Sequence, residues 1–182
     1  MRSRILCLLV PALFVGALHA QDDLVKKASQ FKNDSAQAAY RFTTVVDAGC
    51  AGWRNFEDFK DRIIDRSKTR VLAMLNIVGA GMRGGKWEQD MGDMDGEATA
   101  KMAQRYPGLI IGVKAAHFSG PEWKPIDEAV IAGNKANLPV MVDFGVDQPT
   151  RPLYDLLTKK LRPGDIYTHM FSGLRQEQDP AS

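Results

Sequence analysis

The sequence predicts an α/β fold built on a parallel sheet, and three observations carry that expectation. Five short apolar, β-prone runs recur along the chain: TTVVDAG (43–49), VLAMLNIVG (71–79), LIIGVKAAHF (109–118), LPVMVDFG (138–145) and DIYTHMF (165–171). Segments of helical character separate them. The runs are apolar along their length rather than alternating, as in strands covered on both faces. Two architectures satisfy this pattern, an open doubly wound sheet and part of a (β/α)8 barrel, and both place functional groups at the C-terminal ends of the strands.

Each helix has its own local signal. NFEDFKDRIIDRSK (55–68) spaces Phe56, Phe59, Ile63 and Ile64 for one face of a helix. DGEATAKMAQRY (95–106) is stopped by Pro107 and Gly108. PIDEAVIAGNKAN (125–137) begins with proline in its first turn. PLYDLLTKKLRPG (152–164) closes on Pro-Gly. The glycine-rich GAGMRGG (79–85) leads into KWEQDMGDMDG instead of a helix, which argues against a dinucleotide-binding turn.

Ahead of this pattern, residues 1–20 read as a secretory signal peptide. They have a basic start at Arg2 and Arg4, an apolar run from Ile5 to Leu18, and Ala20 before QDD. Export to the periplasm or medium is therefore expected. Residues 21–41 form a linker or short helix, and 42–182 the folded domain. Without Arg2 and Arg4, 22 basic residues balance 22 acidic ones. That balance provides no electrostatic case for nucleic acid, or for a membrane once the signal is cleaved. Loss of the leader removes Cys7 and leaves Cys50 without an internal disulfide partner, as a packed small residue or a reactive thiol.

The strand ends carry Asp47, Asn76, Lys114, Asp143 and His169. Lysine is unexpected at the end of a buried strand, because burial disfavours its charged form. A neutral amine can act as a base, form a Schiff base, or take up carbon dioxide as an anionic carbamate. The alternative is that Lys114 reaches up to solvent or pairs with a strand-end Asp. His169 has the chemistry of a metal ligand, and Asp143 that of a hard oxygen ligand or a loop cap. His117 suits a metal ligand, a substrate contact or a loop hydrogen bond.

The stretches TTVVDAGCAGWRNFEDF (43–59), RVLAMLNIVGAG (70–81), GVKAAHFSGPEW (112–123), NLPVMVDFG (137–145) and LRPGDIYTHMFSG (161–173) together resemble the amidohydrolase superfamily, in its dihydroorotase-related amidohydrolase/deacetylase branch. The resemblance implies a (β/α)8 barrel of the metal-dependent hydrolase type, with about five βα units present. It implies one or two divalent metals, usually zinc, at the C-terminal mouth. Lys114 as a bridging carbamate, His169 and Asp143 are then the metal ligands, and His117 a substrate-binding residue. The implied reaction is hydrolysis of an amide or ester bond in a small acylated substrate, with no catalytic residue assigned.

Four departures accompany the resemblance. No His-x-His pair of the family's first strand occurs, Asp143 stands where related members carry His, and neither the later Gly-His-Gly stretch nor the eighth-strand Asp is found. The expectation is a shortened member holding family strands two to six, with open sheet edges that invite self-association. The alternatives are a catalytically inactive fragment or an exported α/β binding module.

Overall fold

A computed structural model describes residues 43–143 and 148–169. Five strands form one sheet: β1 (Thr44–Asp47), β2 (Arg70–Asn76), β3 (Ile110–Ala115), β4 (Val140–Val142) and β5 (Ile166–Tyr167). All are parallel, and their spatial order is their sequence order. A doubly wound sheet reverses its strand order at a switch point. This sheet does not reverse, so it is a barrel segment, a five-stranded half-barrel. Residues 1–42, with the expected leader and linker, lie outside the described residues. No described helix is long and apolar enough to cross a membrane.

The crossovers contain α1 (Phe56–Phe59), α2 (Gly96–Arg105), α3 (Lys124–Ala136) and α4 (Leu153–Asp155). Asp95 caps α2 by accepting a hydrogen bond from the Ala98 N–H at 2.9 Å. Gly108, at φ 76°, then turns the chain into β3. Pro125 opens α3, and Asn137 closes it in the left-handed conformation at φ 54°. The first and last helices differ from expectation. After one α turn, each continues as a π turn, Lys60–Ile64 and Leu156–Lys160. The wider turn breaks the 3.6-residue phase. Phe56 is fully buried while Ile63 is half-exposed, so the four apolar residues do not share one buried stripe.

Two apolar clusters bind the helices to one face of the sheet. Ala73, Leu75 and Ile110 pack with Phe56 and Ala103. Val113, Ala115, Val140 and Val142 pack with Ile126, Ala129, Ala132 and Leu156. Strand alternation alone would put Ile110 and Val113 on opposite faces. The β2–β3 register resolves this. Ala73 pairs with Ile110 and Met74 with Gly112, so Ile111 is an extra residue. The bulge re-phases β3 and turns Lys114 away from the helices, in register with Asn76 and Met141.

The RPGD segment clamps the opposite end of the sheet. Asp165 accepts hydrogen bonds from the N–H groups of Val140 and Arg162, both at 2.8 Å, and from Arg162 Nε at 3.0 Å and Nη2 at 2.8 Å. Burial alone would raise the Asp165 carboxyl, but these bonds and the Arg162 charge bring it below its ordinary value. A carboxyl depressed in the folded state stabilises fully above its unfolded value, about pH 3.9, and that stabilisation fades as pH falls through the folded value. The stability difference between wild type and Asp165→Asn should therefore shrink on acidification below about pH 4. Urea midpoints measured from pH 2 to 7 check this, and a pH-independent difference would contradict it.

Candidate functional site

Of the five polar strand-end residues, two brace loops. Asp47 Oδ2 accepts from the N–H groups of Gly49 at 3.2 Å and Cys50 at 3.0 Å, closing the turn after β1. Buried Asn76 donates Nδ2 to the Gly49 carbonyl at 3.0 Å and accepts from the Val78 N–H at 3.0 Å. These bonds shape the floor on which Lys114 lies. The thiol of Cys50 is pushed up to about 11 by desolvation, then by the hydrogen bond and charge of Asp47. Cys50 is solvent-exposed rather than packed, and a thiol raised in this way is a weaker nucleophile near neutral pH.

Lys114 is buried, 5% exposed. Its stem occupies the space a side chain at position 49 would need. A Cβ on Gly49 would stand 2.9 Å from Lys114 Cγ and 3.2 Å from Asn76 Nδ2, and Gly49 sits at φ 105°. This is the physical content of the glycine in TTVVDAG. Gly49→Ala combines backbone strain with displacement of the Lys114 stem, and should cost about 1–3 kcal/mol. Chemical denaturation measures that cost.

The remaining residues converge on Asp143, just past β4. Its carboxylate is buried, and Oδ2 lies 3.2 Å from His117 Nε2 and 3.0 Å from His169 Nε2. Both histidines are about half-exposed and have positive φ, 56° and 62°. This left-handed backbone turns each ring back over the strand ends after its own strand has finished. The structure thus brings His117, Asp143 and His169 together. Lys114 lies one strand away from Asp143, where Ala115 pairs with Val142.

One further member of the site lies on an element that sequence reasoning read as loop. KWEQ and MGD form 3-10 turns, Gly85–Gln89 and Met91–Asp93. The first turn buries Glu88, whose Oε2 stands 3.1 Å from His117 Nδ1. Its neighbour Gln89 grips the same loop. Gln89 Nε2 donates to the His117 carbonyl at 2.9 Å, while Oε1 accepts from the Ser119 N–H at 2.9 Å and hydroxyl at 2.8 Å. From the other side, buried Arg151 donates Nη2 to the Phe118 carbonyl at 2.9 Å. The WRNF segment braces the 3-10 turns, since Trp53 Nε1 donates to the Asp93 carbonyl at 3.2 Å and Arg54 pairs with the Asp93 carboxylate at 2.7 Å.

Comparison with known proteins places the chain in a lineage. No family profile matches the chain. A deacetylase of Brucella anthropi is 33% identical over 138 residues, covering 72% of this chain and 34% of that protein. A crystal structure of a dihydroorotase superposes with a TM-score of 0.59 at 31% identity, over 71% of this chain and 37% of that one. Over the matched residues, the chain belongs to the amidohydrolase-related deacetylase branch. An adenine deaminase structure gives a TM-score of 0.62 at 27% identity, over 71% of this chain and 35% of that one. The chain thus spans about a third of the length of the relatives it matches.

Members of this superfamily are typically metal-dependent, and the donor set here suits a divalent ion in kind. Two imidazole nitrogens approach one buried carboxylate oxygen at 3.0 and 3.2 Å. Around a small ion with bonds of about 2.0–2.1 Å, tetrahedral ligand atoms stand roughly 3.3 Å apart. A second buried carboxylate oxygen, Glu88 Oε1, has no hydrogen-bond partner among the described residues. The arrangement is closed, however. No group of three or more His, Cys, Asp or Glu among the described residues stands arranged for a metal. The side chains instead contact one another directly.

Proposed function

We propose that this chain contributes the ligand-bearing half of a metal-dependent hydrolase that cleaves amide or ester bonds in small acylated substrates, of the deacetylase type. The observation that carries the proposal is the convergence of His117 and His169 on the buried Asp143 carboxylate, beside buried Lys114, at the C-terminal mouth of the half-barrel. The deacetylase name of the Brucella anthropi relative supports the choice of bond.

In this reading Lys114, as a carbamate, together with Asp143 and His169, holds one or two divalent ions, with zinc as the first candidate. When bound, the metal supplies Lewis acidity toward an acyl carbonyl and its attacking water. The chain's own residues set the conditions for that chemistry. The Gly49–Asn76 floor fixes the lysine stem, so that its amine stays at the mouth. The half-exposed rings of His117 and His169 form the solvent-facing rim where a substrate would enter. With His169 as a ligand, the His117 imidazole is the group left to hold or pass a proton at the carboxylate.

The test is cleavage of an aryl acetate and an N-acetylated amino acid by the full chain, with zinc present and after chelation. The reading expects zinc-dependent turnover above background that Lys114→Ala abolishes. Turnover that survives chelation, or that Lys114→Ala leaves intact, would overturn it. A second reading, a mouth that binds its ligand without hydrolysing it, draws on the closed arrangement of the three side chains. It expects ligand-induced thermal shifts that zinc does not alter.

A further inference from the structure

The loop after β2 carries a charged feature that the ligand set above does not use. Residues 82–89 are tied to the mouth at both ends. The Met82 N–H donates to the Gly49 carbonyl at 3.1 Å, beside the Lys114 stem. Gln89 Nε2 donates to the His117 carbonyl at 2.9 Å. The residues between these ties therefore arch along the rim, from the turn after β1 to the loop after β3. Gly84 and Gly85, at φ 74° and 55°, form the crown of the arch. A Cβ on either would meet nothing within 4 Å, so the crown stands free in solvent.

The large side chains on the arch are Arg83, Lys86 and Trp87, and all three are exposed. The Trp87 ring gathers both cations. The Arg83 guanidinium carbon lies 5.8 Å from the ring centroid and Lys86 Nζ 5.2 Å from it. An indole attracts cations through its ring quadrupole, and here it narrows the directions that two long side chains take. Among the described residues neither cation has a carboxylate partner. Two like charges gathered on one ring repel each other, and an anion between them relieves that repulsion. Arg83 offers a planar donor fork and Lys86 a compact point charge, a pair suited to a carboxylate.

We propose that Arg83 and Lys86, held on Trp87, bind a carboxylate carried by the substrate while its acyl group faces Lys114 and Asp143. This inference rests on the hydrolase reading above for the acylated part, and it deepens that reading by naming a substrate class. The substrates are acylated acids rather than neutral esters or amides. Arg83 and Lys86 are then specificity-determining residues. The buried carboxylates of Glu88 and Asp143 lie deeper in the mouth, so the cations form its solvent-facing edge, where they also steer anions inward.

The experiment compares N-acetylphenylalanine with its neutral analogue N-acetylphenylalaninamide on the full chain. Binding is followed by tryptophan fluorescence, with Trp87→Phe identifying the arch as the source of the signal, and acetate release is measured with zinc present. The wild type should bind the acid about tenfold more tightly than the amide, the order expected of a charge-assisted hydrogen bond. The double variant Arg83→Gln/Lys86→Gln should bring the two affinities to a common value, and high salt should do the same in the wild type. Both side chains are exposed, so the melting temperature of the double variant should match the wild type, which calorimetry checks. Equal binding of acid and amide by the wild type, or a preference that survives in the double variant, overturns the inference whether or not acetate is released. An acid preference that the double variant loses, with no acetate released, upholds the carboxylate site and removes the hydrolase reading instead.

Discussion

Asp143→Ala should lower zinc affinity by at least about 100-fold, because outer-sphere partners alone are worth 10–100-fold and this oxygen is where two imidazoles meet. The zinc-free fold should change little. The carboxylate is buried, but the rings that contact it are half-exposed, so water can replace their lost acceptor. Removing such contacts costs about 1 kcal/mol or less. The strand-end hydrogen bond from the Asp143 N–H to the Ala115 carbonyl, 2.9 Å, does not involve the side chain. Chelator competition and thermal melting with and without zinc separate the two effects. The account expects a large loss in zinc-dependent stabilisation and a nearly unchanged zinc-free melting temperature. The reverse pattern would make Asp143 a structural residue.

Arg151→Ala should have the largest effect on the fold itself. Arg151 is 1% exposed, the bulkiest of the fully buried side chains. It donates to the Phe118 carbonyl at 2.9 Å and lies over the Phe118 ring, 5.5 Å from its centroid. Truncation opens a cavity and takes the donor from a buried carbonyl, so a loss of about 3–5 kcal/mol is expected. For a domain of this size, that corresponds to roughly 10 °C in melting temperature. Arg151→Met keeps much of the volume but not the donor, and should recover only part of the loss. The His117 loop depends on the same anchor. Unfolding in urea measures the loss. Wild-type stability in Arg151→Ala would show that the loop is held by other means.

How far these residues were legible in the sequence follows from the range of the forces involved. The βαβ alternation is local, and strand order followed once the sheet proved sequential rather than reversed. The Asp95 cap and the left-handed Asn137 are set by adjacent residues. The π turns were not visible, because Phe56, Phe59, Ile63 and Ile64 satisfy an ideal helical stripe and only packing exposes Ile63. The bulge at Ile111 depends on pairing with β2, so it was invisible within β3, although it sets the direction of Lys114. β4 proved shorter than the run 138–145, ending at Val142, with Asp143 just past it and tied to β3 by its N–H to the Ala115 carbonyl. His169 likewise lies beyond β5, not within it.

The site was partly readable for a similar reason. Lys114, Asp143 and His169 stand out as polar residues at the ends of apolar runs, and His117 by its proximity to Lys114. Glu88 carried no such signal. A glutamate in KWEQ carries no local sign of burial, and its partner His117 stands 29 positions along the chain. The RPGDIYTH motif divides physically into two parts. Arg162 and Asp165 clamp the start of β5, while His169 serves the mouth at its other end.

The most direct test of the central claim is zinc K-edge X-ray absorption on the zinc-loaded full chain. The account predicts tightly bound zinc with a first shell of nitrogen and oxygen atoms at about 2.0–2.1 Å and imidazole backscattering from His169. A shell containing sulfur at about 2.3 Å, or zinc that washes out before measurement, would contradict it.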